Sequence, residues 1–118
     1  MTRSAATIKA LVARELEAVP DEESRRLLEG LLVEPSFQHL TWEYGALGAT
    51  RPCCIVAKAP DEDLALVYSE DAFGPADPWG AVSLSEASMG DDSQWYGSLY
   101  DAAIGAGLCS APPGYDVS

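Results

Sequence analysis

Apolar residues recur at helical spacing over the first third of the chain. Residues 4–20 carry one apolar stripe, formed by Ile8, Leu11, Val12, Leu16 and Val19, which predicts an amphipathic helix that Pro20 closes. Asp21, Glu22 and Glu23 suit the N-terminus of a second helix, because free N–H groups and the helix dipole favour carboxylates there. Its apolar stripe is Leu27, Leu28, Leu31 and Leu32, and the helix is expected to end at Glu34 before Pro35. The short link predicts a helical hairpin.

The pattern then changes from helical spacing to alternation and short apolar runs. Phe37 to Tyr44 alternates in polarity and predicts a first strand. Cys53 to Lys58 is apolar without alternation, which predicts a central strand buried on both faces. Leu64 to Ser69 and Trp79 to Leu84 predict two more strands. Ser98 is a good N-cap for a last helix from Leu99 to about Leu108.

These elements predict one α+β domain over residues 1–118. We expect an N-terminal helical hairpin, a four-stranded and mainly antiparallel sheet, and a C-terminal helix, since a chain of this length suits one domain. Residues 71–78 contain two prolines and a glycine, which predict a rigid loop. Residues 110–118 are rich in proline and are expected to form a loose tail.

The charge of the chain is concentrated in its second half. The net charge is −12, and no Lys or Arg follows Lys58, whereas eleven Asp and Glu lie between Asp61 and Asp116. So few cations disfavour nucleic acid and an anionic membrane surface as partners, since both are bound through Lys and Arg. A basic protein partner is expected instead. The plain alternative is a solvated surface that only keeps the protein soluble.

The cysteines and the single histidine predict neither a disulfide framework nor a catalytic site. Cys53 and Cys54 are adjacent, Cys109 is remote, and no run of about 18 apolar residues is present. We therefore expect a cytoplasmic chain with reduced thiols. His39 lacks a nucleophile motif, no Cys-x-x-Cys spacing occurs, and no acidic loop has the calcium-binding pattern. No cofactor, no metal and no enzyme activity are predicted.

The candidate binding residues lie in two loops of the acidic half. Aromatic rings beside carboxylates are typical of protein interfaces, where rings anchor the contact and charge steers association. The predicted partner-binding residues are Asp71, Asp77, Asp91, Asp92, Trp95 and Tyr96. The alternative is that the tryptophan rings are structural. Trp79 begins a strand and Trp95 precedes a helix, so both could pack at the edge of the core.

A family resemblance rests on a succession of aromatic and Gly-Pro elements after the first helix. These are Trp42-Glu-Tyr44-Gly45, Arg51-Pro52-Cys53, Tyr68 with Phe73-Gly74-Pro75, Pro78-Trp79-Gly80, Met89-Gly-Asp-Asp-Ser-Gln-Trp95 and Leu99-Tyr-Asp101-Ala102. The succession resembles a group of small acidic bacterial proteins, which is in turn associated with immunity proteins that neutralise secreted toxins.

The resemblance implies a cytosolic inhibitor with a cognate toxin domain as its partner, and it implies no catalytic residues. Two alternatives stay open. An acidic surface could imitate nucleic-acid phosphates and block a DNA-binding enzyme. A small enzyme would need a pocket that unites His39 or a thiol with buried carboxylates.

Overall fold

A meander of antiparallel strands organises the chain in the computed structural model, which describes residues 4–115. The helices are α1 (Ala5–Glu17), α2 (Glu22–Leu31) and α3 (Leu99–Gly105), and two single-turn 3-10 helices span Pro60–Glu62 and Asp92–Gln94. The strands are β1 (Leu32–Thr41), β2 (Thr50–Ala59), β3 (Leu64–Tyr68), β4 (Trp79–Ser83) and β5 (Trp95–Tyr96). They lie in the sheet in chain order, and each pairs antiparallel with the next.

The predicted α+β class, the N-terminal helices and the C-terminal helix are confirmed, but the predicted strand count is wrong. Within residues 4–115 the sheet has five strands rather than four. The additional strand β5 is only two residues long. It pairs with the start of β4, Trp79 opposite Tyr96 and Gly80 opposite Trp95.

Two prolines that were expected to lie outside the strands lie within them. Pro35 falls in β1, which starts directly after α2, and the register of β1 on β2 shifts between Leu32 and Ser36. A proline is tolerated there because β1 is an edge strand. Pro52 falls in β2, but β3 pairs with β2 only from Cys54 onward, so no bond of that ladder is lost at Pro52.

Side-chain hydrogen bonds fix the ends of the helices. Asp21 caps α2 by accepting from the Ser24 amide at 2.8 Å. The guanidinium group of Arg25 donates to the carbonyls of Leu16 and Val19, each at 3.2 Å, and so satisfies the C-terminal end of α1. The Glu15 carboxylate accepts from the Leu99 amide at 2.8 Å, which ties α1 to the first turn of α3.

The sheet has a core on each face, and the two cores are covered differently. The first core contains buried residues of all three helices together with Cys54, Val56, Leu66 and Trp79 of the strands. The second core is formed by Leu40, Trp42, Cys53, Ile55, Ala65, Val67, Val82, Met89 and Trp95, with Phe73 and Leu84 packed against it. Loops rather than helices supply the cover of this second core, and the candidate site lies on these loops.

The predicted loose tail is only partly within the described residues. Residues 110–115 contain no helix or strand. Tyr115 nevertheless packs on Tyr100, with ring centroids 5.4 Å apart, and its hydroxyl donates to the buried carboxylate of Asp101. The rest of the tail, residues 116–118, lies outside the described residues.

Candidate interaction surface

Three loops meet over the second face of the sheet through one group of rings. These rings, Trp42, Tyr44, Phe73 and Trp95, form what we call the aromatic cluster. Phe73 is at its centre, with ring centroids 5.1 Å from Trp42, 5.7 Å from Tyr44 and 5.9 Å from Trp95. The cluster therefore joins the loop of residues 42–49 to the loop of residues 69–78 and to the strand that follows residues 84–94.

Backbone hydrogen bonds hold the third loop in place. Residues 84–94 leave β4 and reach the outer edge of β1, where Thr41 pairs with Ser88. The Met89 amide donates to the Thr41 carbonyl at 2.9 Å. The indole N–H of Trp95 then donates to the Met89 carbonyl at 2.8 Å, inside the second core. The loop of residues 84–94 is thus fixed to the sheet at both β1 and β5.

Exposure within this region rises from the cluster toward one loop tip. Trp42 is 9% exposed, whereas Tyr44 is 58% exposed and Leu47 is fully exposed. Leu47 lies between Gly45 and Gly48, and Gly48 has a positive φ of 84° that favours glycine. The Trp42 amide closes the base of this loop by donating to the Ala49 carbonyl at 2.8 Å, so the exposed Tyr44 and Leu47 lie on a loop whose ends are held together.

The four predicted carboxylates lie on the two other loops. Asp71 and Asp77 belong to residues 69–78, and Asp91 and Asp92 belong to residues 84–94. Asp77 is partly buried and the other three are exposed. Asp91 also has a structural role, because it caps the 3-10 helix Asp92–Gln94 by accepting from the Ser93 amide at 3.0 Å. Since Phe73 and Trp95 are in contact, both acidic loops border the aromatic cluster.

Trp95 and Tyr96 do not act together on this surface. They are consecutive residues of β5, so their side chains point to opposite faces of the sheet. Trp95 is 4% exposed and belongs to the second core, while Tyr96 is partly exposed and packs against the first. Trp79 is also buried, at 3% exposed. A partner near Trp95 would instead contact Phe73, which packs on the Trp95 ring, and Tyr44, which packs on Phe73.

The sequence interpretation missed the most exposed members of this region. The alternation from Phe37 to Tyr44 predicts a strand that includes Tyr44, but β1 ends at Thr41, and the pattern assigns no role to Leu47. The available signal was Leu47 itself, a large apolar residue in the otherwise small run from Gly45 to Gly48. The guanidinium carbon of Arg51 lies 5.1 Å from the ring centroid of Trp42, a cation–π contact that covers one side of the cluster.

The histidine, one buried thiol and the buried carboxylate each have contacts of their own within residues 4–115. His39 is exposed, and its Nδ1 has only a 3.4 Å contact with the Thr50 hydroxyl. Burial, and next the neighbouring Cys54, raises the pKa of the Cys53 thiol to about 12, so this thiol stays protonated. The buried carboxylate of Asp101 bonds to Tyr115 instead. Residues 4–115 contain no group of three His, Cys, Asp or Glu side chains suited to a metal ion.

Comparison with protein-family models, with curated proteins and with solved structures gave no match. Among the helices of residues 4–115, none combines the length and the apolar character needed to cross a membrane.

Proposed function

We propose that this protein is a non-enzymatic inhibitor of another protein, and specifically a cytoplasmic immunity protein that binds a basic site on a cognate bacterial toxin. The observation that carries the proposal is the exposure of both Tyr44 and Leu47 on the loop of residues 42–49, where Tyr44 packs on Phe73 of the neighbouring acidic loop. The resemblance to small acidic bacterial proteins supplies the specific form of the proposal.

Apolar and acidic groups have separate tasks in such a contact. Leu47 and Tyr44 supply the apolar area that a partner pocket buries, and buried anchors of this kind provide most of the affinity of an interface. The carboxylates steer the encounter with a cationic partner and set its orientation. Because no Lys or Arg follows Lys58, this half of the chain offers no cation of its own to neutralise them.

The bracing of the loops favours tight binding. An interface that must be ordered on binding loses affinity to the conformational entropy of that ordering. Here the Thr41–Ser88 pairing and the Trp95–Met89 hydrogen bond hold residues 84–94 before any partner arrives. The ring contacts of Phe73 do the same for residues 69–78.

Imitation of nucleic acid is the weaker proposal for the same acidic half. Carboxylates in a row along a helix would favour it, but Asp71, Asp77 and Asp91 are in loops and Asp92 is in a single 3-10 turn. A phosphate-binding groove would also leave the exposed Leu47 without a partner pocket. Both features favour a protein partner with an apolar pocket and a basic rim.

Association kinetics with the product of the neighbouring open reading frame, where the target of such an inhibitor is expected, test the proposal. The double variant Asp71→Asn/Asp92→Asn removes two exposed carboxylates that accept no hydrogen bond within residues 4–115. The matched control is Glu23→Gln/Glu29→Gln, which removes two exposed carboxylates on α2, the helix that packs on the other face of the sheet. We expect the first pair to slow association severalfold and the control pair to have a smaller effect. Added salt is expected to slow the wild type steeply.

Leu47→Ser tests the apolar part of the contact separately. Loss of a buried leucine contact is worth about 1.5–3 kcal/mol, so dissociation should become about tenfold to hundredfold faster while association changes little. Toxicity assays in cells that express the toxin domain with each variant give the functional readout. An association rate that is indifferent to salt and to both carboxylate pairs would contradict the electrostatic part. Failure of the wild type to bind or protect would refute the proposed function itself.

A further inference from the structure

A second feature of the second face is bordered by Leu84 and Ala87 of the loop of residues 84–94. Near the end of β2 a cavity of about 200 Å³ opens on the second face. Its floor is apolar and buried, formed by Leu40, Ile55, Ala65 and Val82. Polar side chains lie at its rim, those of Gln38, Lys58 and Ser83. The cavity therefore has an apolar floor beneath a polar rim, and the rim carries one lysine.

A β-bulge directs Lys58 to this cavity. Ile55 of β2 pairs with Val67, but the next pair is Ala57 with Leu66, so Val56 is an extra residue in β2. Without the bulge, strict alternation from Ile55 would turn Ala57 toward the second face and Lys58 toward the first. With it, Val56 and Ala57 both pack in the first core, and Lys58 lines the cavity on the second face. Bulges often re-aim a side chain next to a functional site.

The charge on Lys58 has no partner within residues 4–115. No carboxylate of that range lies within ion-pair distance of its ammonium group, although the chain holds 19 Asp and Glu. Lys9 gives a direct contrast, because it borders the apolar groove between α1 and β1 and is paired with Glu34 at 2.7 Å. The Ser83 hydroxyl donates to Asp63 at 2.8 Å, so one carboxylate lies beside the rim and is bonded to Ser83, while Lys58 is the one cation among the described residues that line the cavity.

We propose that this cavity is a binding site for a small carboxylate with an apolar body, whose carboxylate meets Lys58 and whose body lies on the floor of Leu40, Ile55, Ala65 and Val82. Size limits the ligand to about one ring or a short branched chain, since a known apolar cavity of about 150 Å³ holds benzene. The Gln38 amide supplies a second donor at the rim, because its own contact with Ser36 is long, at 3.5 Å.

Titration with benzoate, followed by amide NMR shifts of the full chain, tests the site. Benzamide is the neutral probe of nearly the same shape. We expect benzoate to shift the amides around Ala65 and Val82 and to bind about three- to fivefold more tightly than benzamide, the size expected of a partly exposed ion pair. Lys58→Gln should abolish this preference. Lys9→Gln makes the same change of net charge at a paired lysine and should preserve it.

A variant of the floor separates the apolar contribution from the ionic one. Ala65→Leu fills the cavity and should weaken both probes, provided that the dispersion of its NMR spectrum shows it to be folded. If that variant does not fold, the comparison of Lys58→Gln with Lys9→Gln decides alone. Equal binding of benzoate and benzamide, shifts confined to other parts of the chain, or no shift at millimolar concentrations would overturn the proposal.

Discussion

Replacement of Gly80 by alanine tests how firmly Trp95 is held beneath the loops. A Cβ atom at Gly80 would lie 2.7 Å from Cε2 of Trp95 and 2.8 Å from two further ring carbons. Carbon atoms in contact prefer separations of about 3.5–4.0 Å, so the ring must shift. Trp95 is 4% exposed and its indole N–H is bonded to Met89, which leaves it little room to move without losing that bond.

Two opposing effects determine how much the free energy of unfolding changes. Overpacking of a well-filled core costs about 1–3 kcal/mol. The alanine also reduces the conformational freedom of the unfolded chain, which returns about 0.4–1 kcal/mol. We therefore expect a net loss of about 1–2 kcal/mol in the free energy of unfolding. For a domain of this size the corresponding fall in Tm is about 4–8 °C.

Urea unfolding followed by tryptophan fluorescence measures this effect, with Gly30→Ala as the control. Gly30 lies in α2, and a Cβ atom there would meet nothing within 4 Å. The control should therefore be neutral or gain up to about 1 kcal/mol, because alanine is the better helix former. If Gly80→Ala were as stable as the control, Trp95 would be free to relax. The loop of residues 84–94 would then not be fixed by its core.

Two further predictions concern side chains with raised pKa values. Burial raises the pKa of Cys53 to about 12, so Cys53 should resist thiol reagents at pH 8 in the folded protein and react only on unfolding. The partly exposed Cys109 should react first. Mass-spectrometric mapping of the labelled cysteines checks the order, and early labelling at Cys53 would contradict the reasoning. The bond to Asp101 raises the pKa of Tyr115 to about 12 from its ordinary value of 10. The stability it contributes is therefore full below pH 10 and is lost as pH rises through 12. Tyr115→Phe should cost about 1 kcal/mol at pH 7 after allowance for solvent screening, and urea unfolding should show the difference from wild type shrinking above pH 10.

The helices could be predicted because several local signals agree at each of them. The apolar stripe of each N-terminal helix is preceded by a cap, Ser4 or Asp21, and Ser98 caps α3. The residues at which strands begin and end depend instead on pairing with neighbouring strands, which a local pattern does not show. Pro35 and Pro52 signal a break in the sequence, yet an edge position and a missing ladder permit each of them. A strand of two residues such as β5 is too short to show any periodicity.

The candidate surface was predictable in its charges but not in its rings. Exposed carboxylates such as Asp71 and Asp92 follow from loop chemistry alone. The burial of Trp95 depends on the path of residues 84–94 to the far edge of β1, which brings Met89 under the loop. No local pattern encodes that pairing between Thr41 and Ser88. Leu47 lies on the loop that joins the edge strand β1 to β2, and its exposure likewise has no local signal other than its size.

Because loops cover the second face of the sheet, one side chain can contribute to both stability and binding. Phe73 contacts Trp42, Tyr44 and Trp95, so it supports the second core and borders the exposed surface at once. Changes at Phe73 should therefore alter stability and binding together. Leu47 is fully exposed, and its removal should alter binding alone. Loops can therefore hold the contact residues of this small domain in place without a helix over them, and this arrangement depends on the ring of Phe73.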